Sequence, residues 1–129
     1  MTQNAKSAAI AMLPPRTEGP VKSVSESRML KALEYLALSD MEYAKAKAYA
    51  DGMSEQRKTI KAIQYLRSEG SQGDRTEKAY ASPEYQSHLQ KLENAILDLE
   101  HLKAKRQTES LIIDVWRSLN SARKQGAII

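Results

Sequence analysis

Histidine and carboxylate side chains are the residues of this sequence that could catalyse a reaction or bind a metal ion. His88 and His101 fall on one predicted helix about 140° apart, because each residue adds about 100° of rotation, so they cannot share a ligand. The acidic pair Glu93 and Asp98 has no flanking groups that would make one carboxyl an acid and the other a base. The chain has no cysteine, which excludes thiolate catalysis and cysteine-ligated metals. We therefore expect no enzyme activity, no metal site and no cofactor.

Basic residues with an aromatic residue between them are the second group with possible chemistry. Such a cluster suits single-stranded DNA, because cations hold the phosphates while the aromatic ring stacks on an unpaired base, at about 1–3 kcal/mol per base. The 20 basic and 16 acidic residues give a net charge of +4, which permits an anionic partner without requiring one. The competing interpretation is a solvated charged face on each helix. The predicted DNA-binding residues are Arg57, Lys58, Lys61 and Tyr65 in a first helix and Lys103, Arg106, Arg117 and Lys124 in a second.

A first helix is predicted over about residues 25–69. The stretch Ser23-Val24-Ser25-Glu26 has the spacing of a capping box, and apolar residues then recur every three or four positions. Gly52 interrupts this pattern, since glycine costs about 1 kcal/mol inside a helix, and both one kinked helix and two consecutive helices are compatible with it. These apolar residues form one face of the helix, the predicted seam, which consists of Leu30, Leu33, Ala37, Met41, Ala44, Ala48, Met53, Ile60, Ile63 and Leu66.

A second helix has a stronger start signal. Ser82-Pro83-Glu84 combines an N-cap hydroxyl, a proline at the first helical position and a carboxylate near the positive end of the helix dipole. Its apolar stripe stops near Gly126, which predicts a helix over about residues 83–125. The polar, glycine-containing segment between the two helices predicts a loop over residues 70–82.

These elements predict an all-α protein built as a long antiparallel hairpin, similar to a coiled coil. Residues whose numbers sum to about 152 would face each other, which pairs Leu92 with Ile60 and Trp116 with Leu36. Two helices bury little apolar surface against about 1–2 kcal/mol of backbone entropy per ordered residue, so we expect a homo-oligomer. The predicted oligomerisation residues are Leu30, Leu33, Ile113 and Trp116.

The same register would bring basic residues of both helices together near the middle of the hairpin, in a cluster that we call the basic waist. Either a solvated weak point of the coiled coil or an anion-binding groove would explain such a cluster. The basic waist consists of Lys45, Lys47 and Tyr49 from the first helix and Lys103, Lys105, Arg106 and Gln107 from the second.

The first 24 residues differ from the rest of the chain. They contain three of the four prolines, and their apolar run, Ala8 to Leu13, is shorter than the 7–15 residues of a secretory signal. We interpret residues 1–24 as a disordered arm that precedes a single helical domain over residues 25–129. No stretch of 18 apolar residues occurs, so we expect no membrane-spanning segment and a cytoplasmic location.

Several features of this layout occur together in a known family. They are a mobile start, a helix with Lys58, Lys61 and Arg67, a polar turn over Gly70–Asp74, and a long closing helix with a basic tail over Ala122–Gly126. In these features the chain, over about residues 40–129, resembles the small helical phage recombination mediators of the UvsY type. The resemblance implies ring-like homo-oligomers in the host cytoplasm that bind single-stranded DNA, with Lys58 and Lys61 as the positions carried over. It also implies that the protein helps load a RecA-like recombinase, with that recombinase or a single-strand-binding protein as partner.

A different class of protein fits the same features. Phage scaffolding, head-completion and regulatory proteins are also small, helical, cysteine-free and oligomeric, and they act through protein–protein contacts. Salt separates the two hypotheses, because DNA binding through cations weakens steeply with ionic strength, whereas assembly through an apolar seam does not.

Overall fold

The structure, a computed structural model, describes residues 23–128. Within that range the chain forms three helices and no strand: α1 spans Glu26–Arg67, α2 spans Gln72–Ala81 and α3 spans Pro83–Ile128. The all-α prediction is confirmed for these residues. The predicted arm over residues 1–24 lies outside the described residues except for its last two, which are not helical.

Helix α1 is continuous through Gly52, so the first helix is neither broken nor divided there. Its N-cap is Ser25, whose Oγ accepts a hydrogen bond from the Arg28 amide at 3.0 Å. Ala50 and Met53, on either side of the glycine, are both buried. This packing outweighs the cost of about 1 kcal/mol that glycine brings to a helix interior.

Residues 70–82 contain helix α2 rather than the predicted loop, which makes that prediction wrong for most of the segment. Gly70 turns the chain with φ of 120°, a conformation that favours glycine. Ser71 then caps α2: its Oγ accepts from the Asp74 amide at 3.2 Å, and the Asp74 carboxylate accepts from the Ser71 amide at 3.4 Å. This reciprocal capping box supplies two of the hydrogen bonds that a helix start lacks, and it offsets the two glycines of the segment.

The predicted start of the last helix at Ser82-Pro83 is confirmed. Ser82 Oγ donates to the Ala79 carbonyl at 2.7 Å and accepts from the Tyr85 amide at 3.2 Å. One hydroxyl group therefore ends α2 and begins α3. At its other end α3 continues past Gly126 to Ile128, beyond the predicted stop.

Helices α1 and α3 lie side by side and run in opposite directions. Low numbers in α1 face high numbers in α3, since Arg28 contacts Glu109 near one end and Met53 contacts His88 near the other. Facing residues sum to about 140, so the predicted register of about 152 is wrong by roughly three helical turns.

Helix α2 explains the shifted register. It packs along the last turns of α1, where Tyr80 contacts Lys61 and Arg75 lies over the ring of Tyr65. A helix of 10 residues is about 15 Å long. Helix α3 therefore begins about ten residues short of the end of α1, and every pair along the two long helices shifts by that amount.

Over the first half of α1, the interface with α3 uses a different stripe from the predicted one, whereas Met53 of the predicted seam is buried. Leu30, Leu33 and Met41, expected in the seam, are 53%, 47% and 65% exposed. Within residues 23–126 no large side chain is fully buried, as expected for a thin core. The buried residues of the long helices are Met29, Ala32, Ser39, Ala50 and Met53 in α1 and Tyr85, His88, Leu92 and Ala95 in α3.

Polar residues in this interface decide which stripe of α1 faces α3. Arg106 and Glu109 lie at the spacing of the buried residues of α3, and each needs a polar partner on the facing helix. Arg28 and Ser39 supply these partners, and both lie on the stripe that contains Met29. The stripe with Leu30 and Leu33 carries no such groups, so it remains exposed.

Candidate nucleic-acid interface

A shallow groove of about 440 Å³ lies where α2 packs against the end of α1. Three of the four DNA-binding residues predicted in the first helix line it. Arg57, the fourth, is half-buried and is not part of the lining. The groove is lined by Lys58, Lys61, Ala62 and Tyr65 from α1 and by Thr76 from α2.

Tyr80 positions one of the two lysines of the groove. Lys61 Nζ donates a hydrogen bond to Tyr80 Oη at 2.6 Å and lies 4.2 Å from the centroid of the ring. The Tyr80 ring in turn packs edge-on against buried Tyr85, with centroids 5.4 Å apart and planes at 82°. The ammonium group is thus held at the groove by an aromatic pair anchored in α3, which reduces the entropy that it loses on binding an anion.

Lys58 is the more accessible cation of the groove. Its Nζ lies 3.8 Å from the Glu55 carboxylate, and the two side chains are 73% and 77% exposed. An exposed pair of this kind contributes only about 0–1 kcal/mol. A phosphate group can therefore replace the glutamate at little cost.

Arg75 of α2 is a cation beside the groove that is not among the residues predicted to bind DNA. Its guanidinium carbon lies 5.6 Å from the centroid of the Tyr65 ring. Its Nε is buried and has no hydrogen-bond partner among the described residues, a state that costs about 1–3 kcal/mol. Arg75 and Tyr80 fall in the segment predicted to be a loop, but Ser71 and Asp74 have the spacing of a helix start. That helix brings Arg75 and Tyr80 into contact with the groove residues Tyr65 and Lys61.

Arg106 makes contacts within the protein, in contrast to its predicted role in DNA binding. Its guanidinium donates to the Leu36 carbonyl at 2.9 Å, to Ser39 Oγ at 2.6 Å and to the Asp40 carboxylate at 2.6 Å. It also lies 5.3 Å from the centroid of the Tyr43 ring, and its side chain is only 20% exposed. These contacts join α3 to α1, so we leave Arg106 out of the candidate interface.

The basic waist does not form, because it depended on the register that the structure overturns. Arg106 faces Leu36 to Asp40 instead of Lys45 and Lys47. Lys105 lies over the ring of Tyr35, 4.7 Å from its centroid.

The remaining basic residues predicted in the second helix lie on the surface of α3. Lys103, Arg117 and Lys124 are exposed and recur at multiples of seven residues, so they share one side of the helix. Among the predicted oligomerisation residues, Leu30 and Leu33 are exposed on α1, whereas Ile113 and Trp116 are half-buried.

A bidentate ion pair between the long helices lies far from the groove. The Arg28 guanidinium donates to both carboxylate oxygens of Glu109, at 2.8 and 2.7 Å. These hydrogen bonds hold the pKa of Glu109 below its ordinary value, and they outweigh the opposing effect of burial. The pair therefore stabilises the observed register wherever Glu109 is ionised.

Possible metal ligands are not clustered within residues 23–128. No cluster of three or more His, Asp or Glu side chains there could hold a metal ion. The buried ring of His88 lies with Nε2 2.6 Å from the Met53 carbonyl, whereas His101 lines a separate cavity of about 750 Å³. None of the helices in this range is long and apolar enough to cross a membrane.

Comparisons of the chain with protein-family models, with curated proteins and with solved structures find no match. The interpretation of the groove therefore rests on its own geometry. The resemblance to mediators of the UvsY type stays a prediction.

Proposed function

We propose that this protein is a non-enzymatic accessory protein that binds single-stranded DNA as a homo-oligomer and helps load a recombinase, in the manner of the UvsY-type mediators. One observation carries the proposal: Lys58, Lys61 and Tyr65 line a single groove at the junction of α1 and α2. Two cations and an aromatic ring in one groove are the elements that hold phosphates and stack on an unpaired base.

Each side chain has a distinct role in this proposal. Lys58 and Lys61 hold successive phosphates, and the Tyr65 ring stacks on a base that no complementary strand covers. Arg75 lies over Tyr65 and supports that ring as a cation–π partner. A duplex offers the same phosphates but no free base face, so the groove should prefer single strands.

Oligomerisation would increase the DNA affinity that a single groove provides. One groove with two lysines neutralises only a few phosphates, and each contact with a single strand contributes about 0.7 units of salt slope. Repeated grooves on an oligomer of antiparallel hairpins would bind one strand together, which raises the overall affinity without new contacts. The thin core and the exposed Leu30 and Leu33 are consistent with such an oligomer.

The decisive experiment measures binding of a labelled oligothymidine strand at two salt concentrations. Lys58→Ala plus Lys61→Ala should weaken binding and lower the salt slope by about 1.4 units per subunit contacted. Lys31→Ala plus Lys91→Ala is the matched control, since it removes the same charge from exposed positions outside the groove. Equal binding by the two double variants would contradict the proposal.

The ring of Tyr65 provides a second test that does not change the charge. Tyr65→Ala should reduce affinity for the single strand more than for a duplex of the same length, whereas Tyr65→Phe should preserve the preference because the ring remains. Equal losses for both DNA forms would show that Tyr65 does not stack on bases.

A second candidate function is protein assembly, as in a phage scaffolding, head-completion or regulatory protein. The exposed apolar side chains of α1 favour it, because large apolar surfaces without a partner usually mark protein interfaces. If the wild-type protein does not bind oligothymidine even at low salt but self-associates at all salt concentrations, this second function replaces the first.

A further inference from the structure

Helix α1 carries a second apolar stripe on the surface that α3 leaves open. We call it the α1 stripe, and it covers about 80° of the helix, with its centre about 120° from the buried seam. Its large members are 47–65% exposed. The α1 stripe consists of Leu30, Leu33, Ala37, Met41 and Ala44.

The spacing of the α1 stripe is symmetrical about its central residue. Ala37 lies four residues from both Leu33 and Met41, and seven residues from both Leu30 and Ala44. An antiparallel pair of identical helices related by a twofold axis at Ala37 therefore superimposes the two stripes. Leu30 of one copy then faces Ala44 of the other, so a large side chain meets a small one.

We propose that a second copy of this chain docks on the α1 stripe, with the two α1 helices antiparallel and the twofold axis at Ala37. The small alanine on the axis lets the two backbones approach closely, and Leu33 packs against Met41 on each side of it. The proposal defines the homo-oligomeric part of the proposed function, and it does not depend on DNA binding.

Charge complementarity favours a second copy over another apolar partner. Lys47 lies ten residues after Ala37, and Glu26 lies eleven residues before it. The twofold axis at Ala37 therefore places Lys47 of one copy beside Glu26 of the other. Both residues are exposed, and they border the α1 stripe. The symmetry produces this opposite-charge pair twice, once at each end of the contact.

The arrangement has a consequence for the groove. Lys61 lies 24 residues beyond Ala37, which is about 36 Å along the helix. The twofold axis sends the two grooves to opposite ends of the dimer, roughly 70 Å apart. A dimer of this kind therefore presents two separate DNA sites and leaves both open.

A charge exchange tests the pairing. Leu33→Glu should raise the dimer dissociation constant by about 100-fold, because it places an unpaired carboxylate in each half of the interface. Adding Met41→Lys should restore dimerisation, since the twofold axis puts residue 41 of one copy opposite residue 33 of the other. Light scattering gives the mass, and far-UV circular dichroism checks that helicity is unchanged, as expected for two exposed positions.

A cross-link tests the axis itself. The chain has no cysteine, so Ala37→Cys introduces one thiol that should form an intermolecular disulfide under mild oxidation. Ala104→Cys, at an exposed alanine of α3, is the control and should remain monomeric on a non-reducing gel.

Three results would overturn the proposal: a wild-type monomer at tens of micromolar, a Leu33→Glu variant that stays dimeric, or a double variant that stays monomeric. None of them would alter binding at the groove of a single subunit, so failure of this dimer and failure of the DNA-binding proposal are distinguishable.

Discussion

Replacing Arg106 by alanine separates its structural role from the role that the sequence suggests. The guanidinium makes three hydrogen bonds to α1, to the Leu36 carbonyl, the Ser39 hydroxyl and the Asp40 carboxylate. Arg106→Ala removes all three together with the packing against Tyr43. If these contacts hold the register of the long helices, their loss should reduce stability even when no DNA is present.

The magnitude follows from the burial of the partners. Ser39 is 3% exposed, and hydrogen bonds between a charged group and a buried partner contribute about 1.5–3 kcal/mol. The Asp40 side chain is 70% exposed, so that ion pair adds only about 0–1 kcal/mol. We expect Arg106→Ala to lower the free energy of unfolding by about 2–4 kcal/mol. Arg106→Leu should cost less, since it keeps apolar contact with Tyr43.

Urea unfolding followed by far-UV circular dichroism, at one fixed protein concentration, measures the effect. Lys91→Ala is the control, since it removes an exposed cation from the same helix and should change stability by less than about 0.5 kcal/mol. A loss for Arg106→Ala no larger than that of the control would refute the structural assignment. If the same variant also lost DNA binding while remaining fully stable, the predicted DNA-binding role would be the better one.

Three further predictions concern the glycines and the ion pair. Gly70→Ala should destabilise the protein by about 1–2 kcal/mol, because the φ of Gly70 is 120° and the added Cβ would lie 3.1 Å from a side-chain carbon of Asp74. Gly73→Ala is the control: its added Cβ meets no atom within 4 Å, so it should not destabilise. Equal effects of the two variants in urea unfolding would contradict this prediction. Gly52→Ala should stabilise α1 by up to about 1 kcal/mol, and a lower melting temperature would contradict the continuous helix. Arg28 lowers the pKa of Glu109 in the folded protein below its ordinary value of about 4.5. The ion pair should therefore stabilise the fold fully above about pH 4.5, and this stabilisation should be lost as the pH falls through the lowered pKa of Glu109. Arg28→Ala should flatten that part of the pH–stability curve, and an unchanged curve would count against the assignment.

Helix existence and most helix ends could be predicted from short stretches of sequence. Ser82 and Pro83 begin α3, and Ser25 begins α1, because an N-cap hydroxyl and a proline act within three or four residues. The same local reasoning was available for α2, where Ser71 and Asp74 form the capping box. The glycines beside them favour a loop, but the capping box outweighs them.

Part of the candidate site was also visible in the sequence. Lys58, Lys61 and Tyr65 lie within one arc of a single helix, so helical periodicity brings them together whatever α3 does. Arg75 and Tyr80 contact the groove residues Tyr65 and Lys61 only because α2 folds back on α1. Their place could not be predicted without that helix.

The sequence by itself determined the helices, the thin core and the grouping of basic residues on one turn of α1, because each depends on hydrogen bonds and periodicity within a few residues. Only the tertiary structure decided which of two apolar stripes of α1 faces α3. That choice depends on partners for Arg106 and Glu109 that lie about 70–80 residues away, and a buried charged group without a partner costs far more than an exposed leucine. The stripe with Ser39 and Arg28 satisfies both groups, so Leu30 and Leu33 remain on the surface.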